Sequence, residues 1–428
     1  MNPQTSPLPT PRLPVIDNLI LLLAKWYLLV DAGNGILLSL TGLSLPLSAV
    51  YKTGLLLLLL GALVQHQVQG LLYLLGAALL LLAGPFYTLL LTGNNAGFSY
   101  DVGMVLKLLS PLLAALYFYQ LSCRAPEQAK QALWQIFLFS FVILVLNMSL
   151  GRLGFGFSAY LPNDYLPDLN LGTKGYFKAT NELSALLLVL TAFLLALYWP
   201  LSKLKFALVL ALSLFAASSM LTKTGMAGVL LLALFIPLLQ QKHSWWPYRK
   251  LLLGLSAGVV LLIPLLLWQL PLLLSGGLGQ KLQLVYQQQG LLGVLLSSRD
   301  QYALDNWLLS ATYFNEWHRL FGIGTTGLDL YTSKALAEID PVDLLLWFGL
   351  PGLGYFLLWF ALIVKQSLEL YKLAPQSVAA GVLVLNLVLV LVATMAGHTL
   401  TSGMLWIPWG MLNGGIWLYC VQTKEQAR

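Results

Sequence analysis

Two arginines in the longest polar stretch of the chain belong to the residue type best suited to binding phosphate groups. Arg299 follows two serines and precedes Asp300, and Arg319 stands further along, next to His318. A guanidinium group donates paired hydrogen bonds to phosphate oxygens, which a lysine ammonium group cannot do. We therefore expect these arginines to hold a phosphorylated substrate. His318 is a candidate base, although a lone histidine in an aromatic context is more often structural.

Lysines beside glycines form a second group of candidate cations. Lys174 and Lys178 lie in the segment GTKGYFKATNELS (residues 172–184), just before the point where a helix is predicted to begin. The free N–H groups of a helix start, next to two cations, suit a phosphate, and Asn181 lies in that first turn. The alternative is that Thr180 or Asn181 caps the helix while the lysines extend to the membrane surface.

Two further lysines are associated with apolar segments. Lys223 lies in the turn TKTG between two apolar runs. A ligand-binding cation and an interfacial lysine explain it about equally well. Lys107 lies inside an apolar segment, so it either extends along the helix to the membrane surface or faces a polar cavity.

Three carboxylates stand together before a long apolar segment, in the stretch EIDPVD. They are Glu338, Asp340 and Asp343. A carboxylate in a polar cavity can accept the proton of an attacking hydroxyl, and Asp340 and Asp343 are the preferred candidates for this base. Asp340 also fits the N-cap position before Pro341, which is an alternative reading without chemistry. Asp343 falls one turn into the apolar segment, where an acid is costly unless it faces a polar cavity.

Several signatures of other chemistry do not occur in the sequence. The Gly-rich segment FGIGTTG lacks the lysine and the strand–helix context of a nucleotide-binding loop, and neither HExxH nor GxSxG is found. We expect neither a metal ion nor a cofactor.

The composition defines the elements that must position these residues. Hydrophobic residues make up 58% of the 428 residues and charged residues 9%, against about 25% charged residues in an ordinary soluble domain. The net charge of +7 is distributed over segments that flank apolar runs, so binding to nucleic acid is not expected. The sequence predicts an all-α, polytopic transmembrane bundle with a large, partly helical outer loop.

A spanning helix needs about 20 mostly apolar residues. By this criterion we predict about twelve spans, and ten if the shortest ones are not spans. They lie near 14–35, 51–66, 70–92, 102–122, 131–150, 182–200, 203–222, 224–240, 250–274, 341–364, 377–398 and 403–422. Residues 36–49 are predicted as a short re-entrant or interfacial piece.

The distribution of basic residues predicts the orientation. With a cytoplasmic N-terminus, the inner connections hold most of the Lys and Arg residues of the short loops, whereas the loops 93–101 and 399–402 hold none. This matches the positive-inside rule, so both termini are expected in the cytoplasm. The resulting units are residues 1–150 with five spans, a first periplasmic loop at 151–181, four spans at 182–274, a large periplasmic loop at 275–340, and three spans at 341–428.

The order of these features resembles the O-antigen polymerase and O-antigen ligase superfamily of bacterial inner-membrane glycosyltransferases. The resemblance rests on GTKGYFKATNELS, the TKTG turn, SSRD, FGIGTTG and EIDPVDLLLWFGLPG in that order, and covers roughly residues 172–354. Arg299 matches the arginine of the large outer loop. Lys223 stands where many members carry Arg, and His318 does not clearly match the histidine of many ligases. The carboxylates from Glu338 to Asp343 are more similar to those of polymerases.

The resemblance implies a metal-independent transfer of glycan from undecaprenyl diphosphate on the periplasmic face of the inner membrane. A lipid-linked oligosaccharide and a sugar or lipid acceptor would be the substrates, surrounded by membrane lipids. A chain-length regulator or a flippase of the same pathway would be a partner protein. The alternative function is a transporter or flippase for polysaccharide or lipid-linked oligosaccharide, without catalysis; the missing symmetry between the two halves argues against it.

Overall fold

The computed structural model describes residues 13–66, 68–160, 171–241, 296–332 and 334–420, with scattered positions between 279 and 293. The part of the chain so described is almost entirely helical. The helices are α1 (Val15–Thr41), α2 (Leu47–His66), α3 (Val68–Thr92), α4 (Asn95–Arg124), α5 (Pro126–Arg152), α6 (Thr180–Leu201), α7 (Lys203–Met220), α8 (Lys223–Leu239), α9 (Arg299–Tyr313), α10 (Glu316–Phe321), α11 (Thr325–Leu328), α12 (Asp340–Leu373), α13 (Ala379–Met395) and α14 (Trp406–Gly415).

Local sequence explains where several helices begin and end. The side chain of Asn94 accepts a hydrogen bond from the backbone N–H of Gly97 and so caps α4. Pro126 occupies the first position of α5, where its missing N–H costs nothing. Helix α1 ends at Gly42, which has a φ of 70° that glycine adopts without steric cost. These signals confine the long leucine-rich runs to separate helices.

Seven described helices, namely α2 to α7 and α12, are long and apolar enough to cross a membrane. Helices α8 and α13 are apolar but shorter. This is the composition of a helical, multi-pass membrane protein. The predicted span at 250–274 lies outside the described residues. The predicted re-entrant piece at 36–49 is wrong, because α1 continues to Thr41 and α2 begins at Leu47.

Helix α6 is the centre of the bundle. In its most apolar stretch 78% of the residues are buried, against 22% in α2 and 28% in α3. Helices α5, α7, α8 and α13 pack around α6, while α14 lies along α4. Helices α2 and α3 therefore lie at the periphery, with many apolar side chains facing outwards, as expected for surfaces that contact lipid.

Several connections meet at one end of this bundle, which we call the loop end. Strands β1 (Phe157–Tyr160) and β2 (Leu171–Gly175) pair antiparallel there, and β2 contacts α5 and α7. Helix α9 packs against α12, and α10 packs against α3 and α12. The polar stretch after residue 296 is thus partly helical, as predicted, and lies on the ends of the long helices.

Candidate functional site

A cavity of about 310 Å³ opens at the loop end between α8 and α13. Its polar wall is formed by Tyr160, Asn181, Lys223, Ser297 and Arg299. Its apolar wall continues down the two helices and consists of Ala227, Gly228, Leu231, Val388, Leu391, Val392, Met395 and Ala396. We call this the Arg299 cavity. Two of the cations predicted from the sequence, Arg299 and Lys223, therefore lie together at the mouth of an apolar groove.

Arg299 is held by two elements that are distant in sequence. Its Nη2 and Nε atoms donate to Oε2 of Glu338 at 2.7 and 3.0 Å, and its Nη1 donates to the backbone oxygen of Met395 at 3.2 Å. The Arg299 side chain is 14% exposed and that of Glu338 27% exposed. Because the pair is only partly solvated, its electrostatic attraction is screened less than that of a surface pair.

Lys223 reaches the cavity because the connection between α7 and α8 is very short. Helix α7 ends at Met220, the next residue, Leu221, adopts the left-handed conformation, and α8 begins at Lys223. The hydroxyl groups of Thr222 and Ser184 lie 2.7 Å apart and fix this turn on α6. Lys223 Nζ contacts Ser297 Oγ at 3.4 Å. The tight turn predicted from TKTG is thus present, and it brings Lys223 to the segment that carries Arg299.

Glu338 stands at the centre of the polar contacts. Besides the Arg299 pair, its Oε2 accepts a hydrogen bond from Nδ2 of Asn181 at 3.3 Å, which leaves Oε1 without a hydrogen bond to any described residue. The carboxylate of Asp343 accepts the backbone N–H groups of Ala337 and Glu338, both at 2.9 Å. Asp343 therefore holds the backbone that presents Glu338.

Asp340 also binds backbone N–H groups, in the connection between α13 and α14. Its carboxylate accepts the backbone N–H groups of His398 at 2.6 Å, Thr399 at 2.9 Å and Leu400 at 3.3 Å. Helix α12 begins at Asp340 itself, with Ile339 as its N-cap residue, so the predicted capping role of Asp340 is wrong. Asp340 instead ties the connection between α13 and α14 to the start of α12.

The start of α6 also differs from the capping prediction. Ala179 is the N-cap residue and makes no side-chain cap, so neither Thr180 nor Asn181 caps this helix. Asn181 reaches Glu338 instead. In the same turn, Oε2 of Glu182 accepts a hydrogen bond from Ser402 at 2.7 Å. Tertiary contacts at the loop end have replaced local capping.

Backbone strain is concentrated at this end of the molecule. Among the described residues, the non-glycine positions with positive φ are Leu221, Ser297, Ser298, Glu338 and His398. Each lies next to, or contacts, a residue of the Arg299 cavity or of the Asp340 connection. Such conformations cost about 1–3 kcal/mol each and are typical of functional sites. The strain arises from the same connections that place Arg299, Lys223 and Glu338.

Two residues of the site were not predicted from the sequence. Tyr160 lines the cavity, and the positive charge of Arg299 opposes the rise in the Tyr160 pKa that burial causes. Lys334 Nζ lies 3.5 Å from the centre of the Tyr302 ring. Burial lowers the pKa of Lys334 and nearby Glu338 opposes this shift. An isolated tyrosine and an isolated lysine in polar loops carry no pattern that would reveal these placements.

The other predicted cations lie away from the described wall of the cavity. Lys174 is half-buried in β2, where burial lowers its pKa, and Lys178 is exposed. Arg319 forms an exposed pair with Glu316 on α10, at 2.9 Å. Lys107 is exposed on α4, with its Nζ 4.0 Å from the sulfur of Met104. The structure thus does not bring these four together with Arg299.

His318 is buried among aromatic rings on another side of the loop end. Its ring centre lies 5.3 Å from that of Tyr87 and 5.8 Å from that of Phe314. Its Nε2 lies 3.4 Å from the hydroxyl of Thr88, whereas its Nδ1 has no partner among the described residues. Burial lowers the pKa of His318, because a buried imidazole is less well solvated in its charged form.

The Gly-rich segment after His318 is packed against three helices. Asp101 of α4 accepts the backbone N–H and the hydroxyl of Thr325, the first at 2.8 Å. Thr88 of α3 donates to the backbone oxygen of Ile323 at 2.8 Å, and Gly324 donates its N–H to Trp347 of α12 at 2.8 Å. Asp101 just precedes the predicted span at 102–122, and the sequence did not reveal that it fixes this loop.

Within the described ranges, no group of three or more His, Cys, Asp or Glu residues is placed to hold a metal ion. The chemistry that the Arg299 cavity offers is therefore that of two cations, a carboxylate and an apolar groove. It can bind an anionic head group that is attached to an apolar chain.

No protein-family model matches the chain, and no curated protein matches its sequence. What the fold defines is a class: a helical protein with several membrane-spanning helices and a polar site at one end. The resemblance to O-antigen polymerases and ligases rests on the sequence motifs alone.

Proposed function

We propose that the protein is a glycosyltransferase that takes its glycan from a polyprenyl diphosphate. The observation that carries this proposal is the Arg299 cavity, in which two cations stand at the mouth of an apolar groove between α8 and α13. Anionic head group and apolar tail are the two parts of a lipid diphosphate. Polysaccharide polymerisation is favoured over ligation, because the carboxylates from Glu338 to Asp343 are more similar to those of polymerases.

The cations would act on the leaving group. As the bond between C1 of the donor sugar and the diphosphate oxygen breaks, negative charge accumulates on the diphosphate. Arg299 and Lys223 are fixed by Met395 and Ser297, so they can stabilise this charge without rearranging at the moment of reaction. Removal of one such preorganised donor typically lowers kcat by about 100- to 1,000-fold.

The groove would hold only the beginning of the lipid chain. A volume of about 310 Å³ is at the lower end of the range for small-molecule pockets, about 300–1,000 Å³. The diphosphate and the first isoprene units would fill it, and the rest of the chain would lie in the bilayer. Leu391 and Met395 at the edge of the groove are 53% and 45% exposed, which supports an opening towards lipid.

A carboxylate would complete the reaction. The attacking sugar hydroxyl forms the new bond to C1, its proton passes to the base, and the lipid diphosphate leaves as the anion. We assign the base to Glu338, because it contacts Arg299 and Asn181, which line the cavity, and its Oε1 accepts no hydrogen bond from described residues. The sequence favours Asp340 and Asp343 as the base, but backbone N–H groups occupy their carboxylates in the structure.

We include in the same proposal the number of spans and their orientation in the membrane. Twelve spans, cytoplasmic termini and a periplasmic loop end would place the cavity on the outer face of a bacterial inner membrane. The absence of Lys and Arg from the short loops 93–101 and 399–402 supports this orientation.

An experiment in a cell that makes the glycan tests the proposal. In a deletion strain, the wild-type gene should restore polymer, and Arg299→Ala should leave lipid-linked units on the outer leaflet. Arg319→Ala is the matched control, because Arg319 is an exposed arginine of the same polar stretch. Accumulation on the inner leaflet would instead indicate a transporter, and normal polymer with Arg299→Ala would refute the proposal.

A further inference from the structure

A second cavity, larger than the first, lies at the loop end between α4 and the segment that follows α10. Its volume is about 510 Å³. The polar groups of its wall come from the connection between α3 and α4, from the start of α4, from the segment around α11 and from α12. They are Asn94, Tyr100, Thr325, Thr326, Asp329 and Trp347. We call this the Asp329 cavity.

The charge of the Asp329 cavity is opposite to that of the Arg299 cavity. Among its described lining residues none is Lys, Arg or His, and Asp329 is the sole charged residue. A phosphate would meet a carboxylate there without any compensating cation, which is unfavourable. The ligand of this cavity is therefore neutral or cationic.

The polar groups suit hydroxyl groups rather than a charged amine. Asp329 is exposed and its carboxylate makes no hydrogen bond to another described residue, so it can accept from a ligand O–H. The Oδ1 atom of Asn94 accepts from Gly97, and its Nδ2 group is left to donate. Tyr100 offers a half-exposed ring, and Trp347 forms a buried floor, 2% exposed. Several donors and acceptors beside aromatic faces fit a sugar, whereas a cation would use Asp329 alone.

The two cavities share one segment of chain. Ala335 and Leu336 line the Asp329 cavity, and Glu338, two residues further on, binds Arg299. Two residues of extended chain span at most about 7 Å. The backbone of Glu338 therefore lies within about 7 Å of a residue that lines the Asp329 cavity.

We propose that the Asp329 cavity is a binding site for a neutral oligosaccharide. Asp329 and Asn94 hydrogen-bond its hydroxyl groups, and the exposed ring of Tyr100 contacts an apolar sugar face. That this oligosaccharide is the acceptor of glycosyl transfer rests on the proposed function. The binding itself does not.

Binding of defined sugars to the purified full-length protein tests this site. The probes are three neutral trisaccharides, maltotriose, mannotriose and triacetylchitotriose, and inorganic pyrophosphate, each measured by titration calorimetry. We expect at least one trisaccharide to bind. Asp329→Asn should weaken it at least tenfold, and Ala96→Trp, which adds a large side chain at a residue that lines the cavity, should abolish it. Glu316→Gln is the control, because Glu316 is exposed on α10 and lies outside the cavity.

The outcomes separate this site from the proposed donor site. Pyrophosphate should bind the wild type and both cavity variants alike, and should lose affinity with Arg299→Ala. Sugar binding without pyrophosphate binding would overturn the proposed donor site and leave the sugar site standing. Failure of all three trisaccharides to bind, or equal binding by Ala96→Trp, would overturn the sugar site.

Discussion

Glu338→Gln tests the two roles of Glu338, which are to pair with Arg299 and to accept a proton. In the ligand-free protein, Glu338 already neutralises Arg299 through two hydrogen bonds to Oε2, at 2.7 and 3.0 Å. A diphosphate must replace this carboxylate to reach the guanidinium group. Glutamine keeps the shape of the side chain but removes its charge, so it competes less for Arg299 and cannot accept a proton.

The size of the effect follows from the ion pair. Hydrogen bonds to charged groups contribute about 1.5–3 kcal/mol when shielded, and exposed pairs about 0.2–1 kcal/mol. The Arg299 and Glu338 side chains are 14% and 27% exposed, so we take about 1–2 kcal/mol for the competition. This corresponds to about 5- to 30-fold tighter diphosphate binding. Loss of a general base should at the same time lower turnover by about 100-fold or more.

Two assays check this prediction. Pyrophosphate binding is measured by calorimetry on the purified protein, and polymer formation is measured with lipid-linked donor in proteoliposomes. Glu316→Gln is the matched control, because it removes an exposed partner of another arginine. Weaker pyrophosphate binding by Glu338→Gln would refute the reasoning, since Glu338 would then orient Arg299 for the ligand rather than compete with it.

Four further predictions concern the residues that hold the site. Gly397→Ala should destabilise the protein by about 1–3 kcal/mol and weaken pyrophosphate binding, because Gly397 has a φ of 60° and an added Cβ would lie 2.5 Å from the Glu338 backbone; thermal unfolding and calorimetry measure both. Asp343→Ala should cost about 1–3 kcal/mol of stability, since a buried and a partly buried N–H group lose their acceptor; an unchanged Tm would contradict this. Asp101→Ala should lower the Tm and expose the Gly-rich segment to proteolysis; a segment as resistant as in the wild type would count against its anchoring. The lowered pKa of His318 means that the unfolded chain binds the proton more readily, so stability should fall as pH drops through about 6.5; the fall in Tm between pH 7.5 and 5.5 should be smaller for His318→Gln, and an equal fall would refute this.

The positions of the helices could be predicted from the sequence better than the contacts between them. Long leucine runs separated by glycine, proline and asparagine define most of the helices, because length and local capping are local properties. The continuation of α1 through residues 36–41 escaped prediction, since a run of moderate hydropathy fits both a helix end and an interfacial piece.

The cations of the site could be predicted in part. Arg299 lies in the longest polar stretch of the chain and Lys223 in a tight turn between apolar runs, and this pattern of cations in polar segments predicts both as candidates. The pattern also selected Lys174, Lys178 and Arg319, which the structure places elsewhere. Which turns meet depends on how the helices pack, and spacing along the chain contains no such information.

The contacts of the carboxylates could be predicted from the sequence only where their partners are near in the chain. The contact between Asn181 and Glu338 joins residues 157 positions apart, so no local pattern reveals it. Asp343, in contrast, binds N–H groups only five and six residues before it. A carboxylate shortly after a loop that enters a helix is a recognisable signal for such a turn, so the position of Asp343 is as typical of this local role as of a general base.

Photo-crosslinking with a benzophenone analogue of undecaprenyl diphosphate tests the central claim most directly. The claim is that the lipid diphosphate lies between α8 and α13 with its head group at Arg299 and Lys223. Mass spectrometry of the purified, full-length protein should locate crosslinks in the stretches 223–231 and 388–396, and excess pyrophosphate or Arg299→Ala should reduce them. Crosslinks confined to the lipid-facing surfaces of α2 and α3, unchanged by pyrophosphate, would contradict it.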